Sequence, residues 1–539
     1  MINCFRTLIA ASLATFVCAA TSHAIEPDAP EALVTRDEAI VVAARQRIDQ
    51  LPSTKNTGDN ADRAALATFY AGHAGPPLWI DKQGLNAQAR KIAEEIRKAA
   101  VWGLDPEEFD LPAASASGNG ALIDSELRMS LAILKYARHA RGGRMDPKEL
   151  SLDIDRAPPL EDPHVVLNTL KTSGAPDAYL RDLHPKHDQF EKLRVAYLAA
   201  LEREKHGLTI EPAPAIDELE GKKKKKRKAK RKKRRKSTTK LSKRLLYNME
   251  MWRWMPRDLG EKYVQANVPE YKVRVVKNHR IIHEERIVTG KVQNKTPIFS
   301  DQMETVVFHP FWGVPNSIKV KEILPSLVRG GNVLEKQNLK ISYGGRPVDP
   351  ASVDWTRTDI RNFHVYQPPG SRNALGIVKF LFPNKHAVYM HDTPSKHLFK
   401  RKQRAYSHGC MRVRNPLKLA EVVLSADRGW NRSKIDSLVR AGPKNNQIAL
   451  NKAVPVHVTY FTVHINEAGK PVLFKDIYGH EKRIQMGLDG KAHLIVKRKT
   501  NLDLARRKVV SNVSSSSTSF FSSSSSGDRS WTRAVFGNN

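Results

Sequence analysis

Between Lys222 and Lys236 the chain places 14 lysines and arginines in 15 positions. A run of one sign repels itself, and this one has no apolar side chain larger than Ala229 to bury, so it cannot pack inside a folded unit. It splits the chain into two parts, and residues 211–244 are expected to form a Lys/Arg-rich disordered linker between them. The run supplies 14 of the formal net charge of +34, which leaves +20 for the rest. The chain has 539 residues, 40% of them hydrophobic, so both parts are long enough to bury substantial cores. Three cysteines exclude a disulfide-stapled small fold.

Residues 1–24 have the pattern of a secretory signal peptide. Arg6 supplies the positive start, Leu8 to Ala20 an apolar stretch of 13 residues, and Ser22-His23-Ala24 the small-x-small cleavage site. The stretch is too short to span a bilayer as a helix, and the bulky Val17 before Cys18 does not fit a lipoprotein site. Cleavage would remove Cys4 and Cys18 and leave Cys410 as the mature chain's single cysteine. A lone thiol in an oxidising compartment is a hazard unless it has a task, which makes Cys410 a candidate nucleophile.

Polar residues 25–60 read as a flexible lead-in. From 61 to 210 apolar residues recur every three or four positions, as in Ile92, Ile96 and Ala99, and in Ile123, Leu127, Leu131 and Leu134. That predicts a helical domain with Trp79, Trp102, Tyr136 and Tyr179 in its core. From Leu245 the pattern turns to strands, among them Tyr271–Val275, Glu285–Val288, Thr305–Phe308 and Ala387–Met390. A mainly-β domain over 245–495 is expected, with an inserted subdomain at 315–385. Residues 496–539 are basic and then Ser-rich, with 11 serines in 511–526, and read as a disordered tail. The fold class is thus multidomain α+β. An exported chain rarely meets nucleic acid, and no aromatic residues interleave the basic run. Anionic envelope polymers or a lipid surface are the better partners for 222–236.

The chemistry concentrates in His391-Asp392-Thr393-Pro394 and Tyr406-Ser407-His408-Gly409-Cys410-Met411-Arg412. A thiol nucleophile needs a base, the base needs an acceptor on its other nitrogen, and the developing oxyanion needs N–H donors. Gly409 permits a sharp turn before Cys410, so the Gly409 and Cys410 amides are candidate oxyanion donors. His408 lies two residues from the thiol, on the other side of the Gly409 turn. The distal His391 is the better base and His408 the better structural hydrogen-bonder. A zinc site of His391, His397, His408 and Cys410 lacks HxxxH or CxxC spacing, so no metal is assigned.

Fifteen residues separate His391 from Ser407. This arrangement resembles the signature of the YkuD-type L,D-transpeptidase catalytic domain: a histidine, a spacer, then Ser/Thr-His-Gly-Cys, a hydrophobic residue and Arg or Asn. Further segments resemble the large periplasmic L,D-transpeptidases of Gram-negative bacteria. They are Asn248–Pro256, Lys295–Ser300, His309–Pro315, Leu381–Asn384, Tyr389–Pro394 and Asp476–Gly479, with Pro77–Trp79, Gly103–Pro106 and Arg141–Arg144 in the N-terminal half. The resemblance implies a helical scaffold domain, a catalytic domain and a substrate-capping subdomain at 315–385. It implies peptidoglycan stem peptides as substrate, no cofactor, and a cell-wall location in the periplasm. Cys410 would be the nucleophile, His391 the base and the Asp392 carbonyl its orienter. Gly409 and Tyr389 would serve the oxyanion, and Ser407, His408 and Arg412 would shape the pocket, with Arg412 able to pair with a stem carboxylate. The implied reaction is acyl transfer from a tetrapeptide stem, with release of D-Ala and cross-linking of two diaminopimelates. The same acyl-enzyme could anchor an envelope protein or act as an L,D-carboxypeptidase, and a non-catalytic wall-binding scaffold is the remaining alternative. The family's small helical peptidoglycan-binding domain has no counterpart here. The basic run stands in its place, a candidate substitute by charge attraction.

Overall fold

The structure, a computed structural model, describes residues 35–54, 56–208 and 240–496. The expected signal peptide, the basic run and all but the first residue of the Ser-rich tail lie outside the described residues. Among the described residues no helix is long and apolar enough to cross a membrane.

The N-terminal half is helical, as its periodicity requires. Its main helices are α1 (Arg36–Asp49), α2 (Thr57–Gly72), α3 (Ala87–Arg97), α4 (Asn119–Gly142), α5 (Pro163–Thr172) and α6 (Asp188–Lys205). The expectation of a flexible lead-in over 25–60 is corrected for its described part. Thr35 and Glu38 form a capping box at the start of α1, and Ile40, Val41, Ala44 and Ile48 are buried. The stripe is thin among charged neighbours, which is why composition hid it. α4 forms the spine of this half: its buried Glu126 accepts N–H bonds from Leu78 at 2.6 Å and Trp79 at 2.9 Å. Trp79 and Tyr136 are fully buried, while Trp102 and Tyr179 are half-buried.

The second half opens with a helix, α7 (Leu241–Arg253), rather than with strands, and the helix begins four residues inside the expected linker. Ser242 and Leu245 are already buried there. α7 packs on α6, and the main core joins Phe190, Leu193 and Ala200 of α6, with Leu150 and Ile154, to the core of the sheet. The two halves therefore share apolar packing, each fully buried Phe or Leu contributing about 1.5–3 kcal/mol.

The main sheet has nine strands. They are β1 (Lys262–Asn267), β2 (Lys272–Lys277), β3 (Arg280–Gly290), β4 (Ser300–Phe308), β9 (Val378–Leu381), β10 (Met390–His391), β11 (Ala405–Ser407), β12 (Met411–Val413) and β13 (Asn446–Thr459), with β5 to β8 belonging to the insert. The order β3-β12-β10-β9-β4-β13-β1-β2 closes on itself because β2 also pairs with β3, and β11 adds to the far end of β3. Closure leaves few unpaired edges. β10 and β12 are parallel neighbours. Parallel strands cannot be joined by a tight hairpin, so the spacer between His391 and Ser407 is the crossover that brings the chain back alongside itself.

The insert is a small unit of its own: β5 (Trp312–Gly313), β6 (Lys340–Tyr343), β7 (Arg346–Pro347) and β8 (His364–Gln367), in the order β5-β8-β6-β7, with a helical arm over 316–328. Ile323, Leu334, Ile341, Trp355, Ile360 and Val365 form its core. The Asn373 amide donates to the carbonyls of Pro310 and Pro368 at 3.0 and 2.9 Å, which ties the two ends of the insert together. The expected 315–385 boundary is corrected: β9, at 378–381, is a strand of the main sheet and lies outside the insert.

Candidate active site

Strand alternation builds the site. Met390 on β10, and Met411 and Val413 on β12, point into the core and are fully buried. Their neighbours must then face the opposite side. Pairing sets Met390 beside Met411 and His391 beside Arg412, so Tyr389 lies beside Cys410 one step earlier. Tyr389, His391, Cys410 and Arg412 thus share one face, with the thiol diagonal to the imidazole. Lys379 on β9 is opposite His391 and extends this row. The imidazole is bracketed by two cations.

The turn carrying Cys410 is held on every side. Gly409 has φ +126°, a conformation open in practice only to glycine. Its carbonyl accepts from Thr296 Oγ1 at 2.7 Å, and that oxygen accepts from the Gly290 amide at 2.9 Å. The Tyr478 hydroxyl donates to the Gly290 carbonyl at 2.5 Å and accepts from the Thr296 amide at 3.2 Å. Ser407 Oγ donates to the Cys410 carbonyl at 2.5 Å and accepts from the Gly409 amide at 3.2 Å. The Gly409 amide is thereby engaged within the turn, which corrects the expectation that it stands open as an oxyanion donor. The Tyr389 side chain lies against both the Cys410 sulfur and Trp312.

His391 is buried, and its Nδ1 donates to the Asp392 carbonyl, which leaves Nε2 as the free acceptor. Asp392 is itself locked. Its amide donates to the Val378 carbonyl at 2.9 Å, and its carboxylate accepts from the Ile377 amide at 3.0 Å and from Lys396. A Cβ on Gly376 would come within 2.2 Å of that carboxylate. His408 turns away from the thiol: its Nε2 meets Glu322 Oε1 of the insert at 2.6 Å and Lys291 Nζ at 3.3 Å.

Burial pushes the Cys410 thiol up to about 11, against hydrogen bonding from Tyr389 and the positive charge of Arg412. Burial drives His391 down to about 3, helped by the charges of Arg412 and Lys379 and opposed by its bond to Asp392. Burial brings Lys379 to about 8. Burial thus favours the neutral form of both the thiol and the imidazole at rest. A base in that state takes its proton as attack proceeds. Among the described residues no group of three or more His, Cys, Asp and Glu is placed to hold a metal. The sequence reading passed over Lys379, although it is the one charge in the apolar run Ile377–Phe382. Thr296 and Tyr478 stand in segments picked out by the resemblance but without a role, and Glu322 gave no local signal; only the folded chain brings the three to the motif.

A buried histidine oriented by a carbonyl, beside a half-buried thiol on a closed sheet with an inserted cap, defines a cysteine acyl-transfer domain. Two family models match the chain: the scaffold domain over residues 64–196 and the L,D-transpeptidase catalytic domain, YkuD, over residues 261–449. The chain thus pairs an N-terminal scaffold domain with an L,D-transpeptidase catalytic domain of the YkuD type. It is 26% identical over 464 residues to a Haemophilus influenzae protein named "Putative L,D-transpeptidase", covering 85% of this chain and 86% of that one. It also resembles a solved L,D-transpeptidase from Mycobacterium smegmatis, with a TM-score of 0.18 and 10% identity over 37% of this chain and 58% of that one. For L,D-transpeptidase 1 of Mycobacterium tuberculosis the TM-score is 0.16, with 12% identity over 37% of this chain and 61% of that one.

Proposed function

We propose that this protein is a peptidoglycan L,D-transpeptidase that cross-links two diaminopimelate residues, with Cys410 as nucleophile and His391 as base. The observation that carries the reading is the shared face of Tyr389, His391, Cys410 and Arg412, with His391 Nδ1 tied to the Asp392 carbonyl. Cys410 Sγ attacks the carbonyl of the L-centre of diaminopimelate in a tetrapeptide stem. Its proton passes to His391 Nε2 and then to the departing D-Ala amine as the C–N bond breaks, leaving a thioester. An amine of a second stem attacks that thioester, loses a proton to His391, and the proton returns to the sulfur as the C–S bond breaks. The Tyr389 hydroxyl and the Cys410 amide stabilise the oxyanion, and Arg412 pairs with a stem carboxylate.

The leader pattern in residues 1–24 supports a periplasmic location. The basic run supports attraction to anionic envelope polymers or a lipid surface.

The test is product analysis after incubation with disaccharide-tetrapeptide. Released D-Ala together with a dimer joined through two diaminopimelates supports the reading. Tripeptide alone reassigns the enzyme to carboxypeptidase chemistry or to a protein acceptor. No turnover by a folded sample contradicts it.

A further inference from the structure

The nucleophile's turn is walled by two loops of the catalytic domain, and both are gripped by one short segment of the scaffold domain. Residues 151–156 leave the helices and lie along the strip Lys295–Ser300. Ile154 forms a parallel bridge with Ile298: the Ile298 amide donates to the Asp153 carbonyl, and the Asp155 amide to the Ile298 carbonyl, each at 2.8 Å. Asp153 Oδ2 then takes Lys295 Nζ at 2.7 Å. The residue after Lys295 is Thr296, whose hydroxyl holds the Gly409 carbonyl.

On the other side, the Asp155 carboxylate takes Lys385 Nζ at 2.9 Å and His386 Nε2 at 2.8 Å. The next residue, Ala387, is held at φ +52°, and its carbonyl faces Cys410 Sγ at 3.9 Å. A left-handed alanine costs about 1–2 kcal/mol, so its surroundings must impose it. Asn384 helps, since its side chain bonds the amides of His386 and Val388 at 3.1 and 3.2 Å. Buried Arg156 fixes the strap below, donating to Ser300 Oγ at 2.7 Å and to the Val458 carbonyl at 2.8 Å.

We propose that Asp153 and Asp155 of the scaffold domain are positioning residues for the transpeptidase reaction, setting the two loops that place Gly409 and the Cys410 thiol. On this account the scaffold domain completes the active site, and the catalytic domain alone holds its thiol loosely. The inference rests on Cys410 being the acylated residue.

The experiment uses the full mature chain and variants Asp153→Asn, Asp155→Asn and the double variant. Acylation of Cys410 by disaccharide-tetrapeptide is followed by intact mass, and steady-state constants and melting temperature are measured on the same samples. The account predicts a fall of about tenfold in kcat for each single variant and about a hundredfold for the double, with KM within about twofold, because misplacement affects the reacting geometry more than binding. The charge swap Asp153→Lys with Lys295→Asp should recover most of the loss seen in Asp153→Lys alone. Folded variants that acylate at the wild-type rate would overturn the positioning role, as would a loss confined to KM. Should a single variant fail to fold, the swap decides: recovered melting temperature without recovered kcat makes the pair merely structural. A wild-type chain that forms no adduct at all contradicts the cysteine mechanism, an outcome distinct from failure of the strap.

Discussion

Two joints reach the nucleophile's turn from outside the main sheet, and they are built in opposite ways. The strap from the scaffold domain is seated by buried residues, with Ile154 2% exposed, Arg156 5% and backbone hydrogen bonds flanking the pair, while its Asp155–Lys385 pair reaches the surface with Lys385 62% exposed. The joint from the capping insert is wet. It consists of Glu322 meeting His408 at 2.6 Å, with side chains 51% and 34% exposed, beside Lys291. A buried, multiply bonded contact resists displacement, whereas an exposed pair exchanges with water at little cost. The scaffold side is the more firmly fixed of the two joints, and the cap side the more readily exchanged with water.

That contrast can be broken by substitution. Arg156→Ala removes the buried guanidinium that donates to the Val458 carbonyl and to Ser300 Oγ and should destabilise the protein by about 3 kcal/mol in denaturant melts. It should also slow acylation. A loss below about 1 kcal/mol would mean that the strap is loosely seated and that the two joints are alike.

Acid probes the same seat. Ser300 Oγ accepts from Arg156 and meets His457 Nδ1 at 2.7 Å, while His457 Nε2 meets the Leu259 carbonyl at 3.0 Å. Burial holds His457, His187 and His464 each near 4, and His391 near 3, against an ordinary 6.5. Between these values the unfolded chain binds more protons than the folded one. Stability is therefore complete above about pH 6.5 and falls as the pH drops towards 4 and then 3. Melting temperature measured across that range, with proton uptake on unfolding, checks the sign. A flat profile would contradict the neutral buried histidines.

Gly409→Ala tests the turn between the joints. At φ +126° a side chain costs about 1–3 kcal/mol of strain. Space is not the obstacle, since the nearest atom to an added Cβ is the Lys295 carbonyl oxygen at 3.6 Å. The expected outcome is a folded protein, modestly less stable, with acylation slowed more than tenfold.

The smallest effect belongs to the cap. Glu322→Gln should change stability by less than about 0.5 kcal/mol, and any kinetic change should fall on KM. A loss matching that of Arg156→Ala would erase the contrast between the joints.

Local pattern made much of this architecture readable. The alternation Met390-His391 and Met411-Arg412 specifies which side chains enter the core and which stay at the site, and the spacer length fits a parallel crossover. Helical periodicity marked α3 and α4. It failed on α1, whose four buried residues are diluted by charge, and at α7, where a helix that buries polar as well as apolar residues precedes the first strand. It also extended the insert over β9, because a short apolar run does not say which sheet it will join. The strap was out of reach for a different reason. Asp153 and Asp155 are ordinary acidic residues in a polar stretch, and their meaning depends on Lys295, Lys385 and His386, at least 140 residues away. The Gly409 amide was misjudged because the Ser407 hydroxyl competes for it inside the same turn.

The most direct measurement is the intact mass of the purified protein after incubation with disaccharide-tetrapeptide, beside a Cys410→Ala control. The account predicts an adduct of the donor less D-Ala on the wild-type chain, mapped to Cys410 and absent from the control. A folded wild-type sample without that adduct, or an adduct that survives in Cys410→Ala, would contradict it.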